Sequence, residues 1–153
     1  MDYFNKSYDK TFVISESDVR PLLLESTNGN IGDFAVDRNA LLGGLERFKN
    51  NYIKFGEWEP SDQPNINFKK ISHFVRDIVV DDQIYVTIRT ITGKHGMLLS
   101  DLFREEEAKS MSHQIKLSLR TIGKIEDGVF FTEEIVAFDL ILPTNINKLF
   151  TTC

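Results

Sequence analysis

Cysteine is almost absent: of 153 residues only Cys153 carries a thiol. A single thiol allows no intramolecular disulfide and no cysteine-rich metal site, and a reducing compartment is expected. Basic excess is missing as well. Eighteen Lys and Arg stand against 23 Asp and Glu, a formal net charge of −5 with both signs interspersed. A chain that neutralises phosphates normally shows a clustered basic face, so nucleic acid is not an expected partner. No apolar run approaches the roughly 20 residues of a membrane span. The opening "MDYFNKSYDK" is polar where a secretory signal would be apolar, so a cytoplasmic protein with no membrane partner is expected. No pair among the three His has zinc-ligand spacing, and neither a metal nor a cofactor is expected. Linker-like tracts and repeats are absent too, which predicts one domain over residues 1–153, ending in a short tail from 143.

What is present is globular composition. Hydrophobic residues at 41% and charged residues at 27% suffice for a core in a chain of this size without disulfides. Twelve Phe suggest either an apolar cavity or oligomer face, or simply Phe as the favoured core filler. "KTFVIS" (10–15) reads as an opening strand. Leu41, Leu45, Phe48, Tyr52 and Phe55 then recur at steps of four, three, four and three, which predicts a helix over 38–55 with Gly56 as its C-terminal cap. Gly43 and Gly44 each cost such a helix about 1 kcal/mol against Ala. They imply that a sheet, a partner or a ligand comes close.

After residue 64 the period changes. "INFKKISHFV" and "QIYVTIRTI" read as strands around a "VDDQ" turn. "HQIKLSLRTI" alternates, with Ile115, Leu117 and Leu119 on one face and Lys116, Ser118 and Arg120 on the other. "EDG" signals a hairpin before the long strand "VFFTEEIVAFDLIL". Between these strands, 101–109 is expected to form a short helix, with Glu105, Glu106 and Glu107 on a solvated face. One helix followed by an antiparallel meander suggests an α+β fold in which a curved sheet wraps the helix.

Two stretches then resemble the hot-dog superfamily, in particular the 4-hydroxybenzoyl-CoA thioesterase-like branch. Asp33 and Asp37 precede Asn39 at the start of the long helix, with Leu42 and Glu46 near the matching offsets, and "FVRDIVVDDQIYVTI" (74–88) is similar to the family's strand–turn–strand. The family's His–Val–Asn–Asn is replaced by "AVDRN", and "SHFV" at His73 lacks the surroundings of the dehydratase branch. The resemblance implies an acyl thioesterase acting on an acyl-CoA or acyl-carrier-protein thioester. It also implies a site at the interface of a homodimer or dimer of dimers.

The chemistry asked of the helix start is concrete. Unpaired N–H groups at a helix N-terminus stabilise an oxyanion, and a neighbouring carboxylate activates water or attacks directly. Asp33, Asp37 and Glu46 are the catalytic candidates, with Asn39, Gly43, Gly44, Arg76 and His95 as substrate-binding candidates. The plainer alternatives are Asp37 as N-cap, Asp33 as a turn residue and Glu46 as a solvated helix residue. A second class of function stays open, a non-catalytic hot-dog or NTF2-like module that binds an acyl or aromatic small molecule.

Overall fold

Alternating runs become strands and stepped runs become helices, but with different ends from those expected. A computed structural model describes residues 7–22, 34–59 and 62–152. In chain order it contains β1 (Asp9–Ile14), β2 (Val19–Pro21), β3 (Ala35–Val36), α1 (Arg38–Lys49), β4 (Phe55–Glu57), β5 (Ile71–Val80), β6 (Ile84–Thr90), α2 (Lys94–Lys109), β7 (Lys116–Glu126), β8 (Val129–Ile141) and α3 (Thr144–Thr151). One sheet is antiparallel in the order β1-β6-β5-β4. The other runs β2-β7-β8-β3, with its two short outer strands pairing in parallel.

This arrangement differs from one curved sheet around a single long helix. There are two sheets, and helices of 12, 16 and 8 residues. At about 1.5 Å per residue α1 is about 18 Å long, and it packs chiefly on β8 of the second sheet. Leu41, Gly44, Leu45 and Phe48 form its buried face, Phe48 meets Phe138 of β8 at 4.9 Å between ring centroids, and Thr132 and Ile135 of the same strand lie against Gly44.

The expected continuation of α1 to residue 55 is overturned at Asn50. Its N–H caps the carbonyls of Arg47 and Phe48, Tyr52 is fully exposed, and Phe55 already belongs to β4. Gly56 is therefore a strand residue and not a helix cap. A Cβ there would come within 2.1 Å of both His73 Nε2 and the Phe138 carbonyl, so the packing of β4 between β5 and β8 requires glycine.

The second helix is longer than the expected 101–109. Leu99, Leu102, Phe103 and Glu106 make one buried stripe at helical spacing, so "GMLLSDLF" belongs to α2 from Lys94 onward. Glu106 lies within that stripe, paired with Lys10 at 3.4 Å and accepting from His113 N–H at 2.7 Å, so this Glu is not on a solvated face. Residues 143–153, expected as a tail, contain α3, which buries Ile146 and Phe150. The turn residues Asp127 and Gly128 both have positive φ (50° and 76°), as a two-residue hairpin with the twist of its strands requires.

Candidate functional site

The helix start forms a cap. Asp37 Oδ2 accepts from Ala40 N–H at 2.8 Å, and the Asp37 N–H donates to the Phe130 carbonyl at 2.9 Å, tying the start of α1 to β8. Asp33 lies outside the described residues. Asn39 and Glu46 are exposed on α1. Gly44 is explained by close approach: a Cβ would meet Thr132 Cγ2 at 3.1 Å and Ile135 Cγ1 at 3.4 Å, whereas at Gly43 it would meet only Arg47 Nη1 at 3.3 Å. His95 lies in the first turn of α2, in ring contact with both Trp58 (5.0 Å) and Phe150 (5.9 Å, stacked). Desolvation lowers its pKa, against the bond it makes to the Phe150 backbone. Arg76 is on β5, paired with Asp9 of β1. Among the described residues no hydrogen bond or ion pair joins the catalytic candidate Asp37 to the substrate-binding candidates Arg76 and His95, which lie on β5 and α2.

A different cluster is assembled where the sheets meet. Ser118 and Asp139 are register partners on β7 and β8, so their side chains share a face, and Arg120 lies two residues along on the same face. Arg120, Asp139 and Glu57 of β4 are all 0% exposed. The guanidinium makes a two-point fork to Asp139 (Nε to Oδ2 and Nη2 to Oδ1, both 2.8 Å) and reaches Glu57 Oε2 at 2.6 Å. Its Nη1 donates to the carbonyls of Gln63 and Asn65, both at 2.9 Å, which ties down the loop after β4. Glu57 N–H donates to Asp139 Oδ1 at 3.1 Å, and Arg20 of β2 approaches Asp139 at 3.8 Å. Burial pushes the Arg120 pKa down, but the bonds and charges of Asp139 and Glu57 together outweigh it and leave it raised. The cation therefore stays charged, and each carboxylate is committed to it.

Beside this cluster is His73, also 0% exposed. Its Nε2 is 2.6 Å from the Phe138 carbonyl and its Nδ1 is 2.8 Å from Ser72 Oγ. A carbonyl only accepts, so Nε2 carries the proton and Nδ1 accepts from the Ser72 hydroxyl. A serine donating to an imidazole is the core of a nucleophile–base pair, but here both residues are fully buried. Burial lowers the His73 pKa to about 4, against the Phe138 bond and the Asp139 charge. A neutral imidazole with both nitrogens occupied joins β5 to β8.

None of Arg120, Asp139, Glu57 or Ser118 was singled out in sequence as a site residue. A signal was available: Asp139 is the lone charge within the apolar stretch "IVAFDLIL", and Arg120 is a charge within "LSLRTI", on strands joined by a hairpin. No group of three or more His, Cys, Asp or Glu side chains among the described residues is arranged to hold a metal. No helix among them is long and apolar enough to cross a membrane.

The fold and cluster together define a class: an α+β chain of two four-stranded sheets joined by a buried arginine–carboxylate cluster. No family model and no curated protein matches the sequence. Among solved structures the chain is similar to the bacteriophage T4 capsid assembly protease, gp21, with a TM-score of 0.52 and 14% identity over 90% of this chain and 97% of that one. At this identity the likeness bears on the fold.

Proposed function

We propose that the chain is a catalytically silent module built on the fold of a capsid assembly protease, which serves particle assembly by binding and not by cleavage. The observation carrying this reading is the commitment of its reactive groups. His73, the imidazole nearest the cluster, is buried and doubly bonded, and Asp139 and Glu57 are held by Arg120. A hydrolase needs a base able to take a proton from a nucleophile next to space for substrate.

One observation favours a second reading, a peptidase with Ser118 as nucleophile. Ser118 is 7% exposed, faces Asp139, and its hydroxyl has no hydrogen-bonding partner among the described residues. The acyl thioesterase reading, on a CoA or carrier-protein ester in a homodimer, retains Asp37 as its described helix-start acid, and that carboxylate is already the N-cap.

One set of assays separates the three. Wild type, Ser118→Ala and Asp37→Asn are tested for labelling by a serine-directed fluorophosphonate and for thiol release from acyl-CoA and aroyl-CoA esters. The silent reading expects neither labelling nor thiol release from wild type or either variant. Labelling lost in Ser118→Ala would establish the peptidase reading, and thiol release lost in Asp37→Asn the thioesterase reading. If the assembly role holds, mass spectrometry of gradient-purified immature particles from the chain's own source finds the intact chain incorporated.

A further inference from the structure

The geometry points to a docking groove for an extended acidic peptide along the free edge of β5. β4 pairs with β5 only from Ile71 to Phe74, and Val75 N–H reaches the Lys54 carbonyl just before β4. From Arg76 to Val80 no described strand lies on that side of β5, although β6 pairs with its other side. An unpaired edge is a template for a further strand. A groove of about 510 Å³ opens where β4 ends, with Phe55, Phe74 and Val75 among its apolar lining and fully exposed Tyr52 at its side. It continues along β5 into a smaller hollow of about 190 Å³ reaching Ile78. Beyond it Val79 and Val80 remain half exposed.

Charge identifies the occupant. Lys54 and Arg76 line both hollows and Lys49 the second, with Asp77 as the one acid in either lining. Arg76 is paired with Asp9, but Lys49 and Lys54 make no ion pair among the described residues. On a chain of net charge −5 this is a local basic rim around an apolar floor. A strand with alternating acidic and apolar side chains matches it: backbone to the β5 edge, apolar residues to the floor, carboxylates to Lys49 and Lys54. The bulge at Arg76, where the β5–β6 register shifts between Val75 and Asp77, bends the edge at the mouth of the groove.

The proposal deepens the binding reading given above and rests on it for its role in assembly, but its test is separate. Fluorescein-labelled EVEFEVE is titrated by anisotropy against wild type, K49Q/K54Q and K49E/K54E, alongside KVKFKVK and an EVEFEVE peptide N-methylated at alternate amides. Binding of EVEFEVE is expected, about tenfold weaker for the Gln pair and weaker still for the Glu pair, and reduced in high salt. The basic and N-methylated peptides are expected not to bind. Absence of EVEFEVE binding, equal binding of the acidic and basic peptides, or retained binding after N-methylation would overturn the proposal. So would sedimentation velocity showing a wild-type dimer that K49E/K54E abolishes, because the occupant would then be a second copy. Failure here leaves the silent-module reading in place, whereas peptide-bond hydrolysis would end that reading without touching the groove.

Discussion

Arg120 is the residue on which the meeting of the two sheets depends, and its cost and benefit are separable by mutation. Removing one partner of a buried ion cluster leaves an uncompensated charge, about 3–5 kcal/mol of destabilisation. Arg120→Ala is expected to lower the unfolding free energy measured in urea by that order, while the triple variant Glu57→Leu, Arg120→Met, Asp139→Leu loses less than Arg120→Ala alone. An equal or larger loss in the triple variant would mean that the ion cluster itself, and not the avoidance of orphan charges, provides the stability. His73 gives the residue-scale pH dependence. Its folded pKa of about 4 lies below the usual value of 6.5. Between those values the unfolded chain binds a proton that the folded chain refuses, so stability falls as pH drops from 6.5 to 4, by roughly 3 kcal/mol in all. His73→Gln is expected to flatten that slope in urea titrations between pH 7 and 4. The carboxyls of Asp9 and Glu16, lowered chiefly by the Arg89 bond and by a backbone bond respectively, lose their contribution as pH falls below their ordinary values of 3.8 and 4.5, at the acid end of that window and beyond it.

At the scale of elements, α1 gives paired predictions of opposite sign. Gly43→Ala meets only the movable end of Arg47 and gains helix propensity, about 0.5–1 kcal/mol of stabilisation by thermal or urea melting. Gly44→Ala presses on buried Thr132 and on Ile135, and is expected to destabilise by about 1 kcal/mol or more despite the same gain. Asp37→Ala costs about 1 kcal/mol as a lost cap, with Asp37→Asn close to neutral because Asn caps as well. These elements also show what the sequence made legible. The alternation of β7, the two-residue turn at Asp127 and Gly128, and the helical stripe from Leu41 to Phe48 were all readable, because each follows from local periodicity or turn chemistry. Tyr52 and Phe55 continued that stripe by coincidence of spacing, and only the cap at Asn50 ends it. Phe150 was placed in a tail because the eight residues of α3 are too short to stand out as a helix; it is held by stacking on His95 and a tilted contact with Trp58.

The whole molecule was harder to read, because what joins the sheets is long-range. Gly56, His73, Arg120 and Asp139 converge from four strands, and in sequence each has an ordinary local explanation. A polar face on β7 normally signals solvent; here Ser118 and Arg120 are buried, with the loop after β4 tied to Arg120 through Gln63 and Asn65. The proposed silence of the site rests on the same convergence: Arg120, Asp139, Glu57 and His73 join the two sheets. The most direct test of that claim is digestion of a peptide library by wild type beside Ser118→Ala, with new termini counted by mass spectrometry. The account predicts no termini in wild type above the variant's background. Wild-type cleavage that disappears in Ser118→Ala would contradict it and make the cluster an active site.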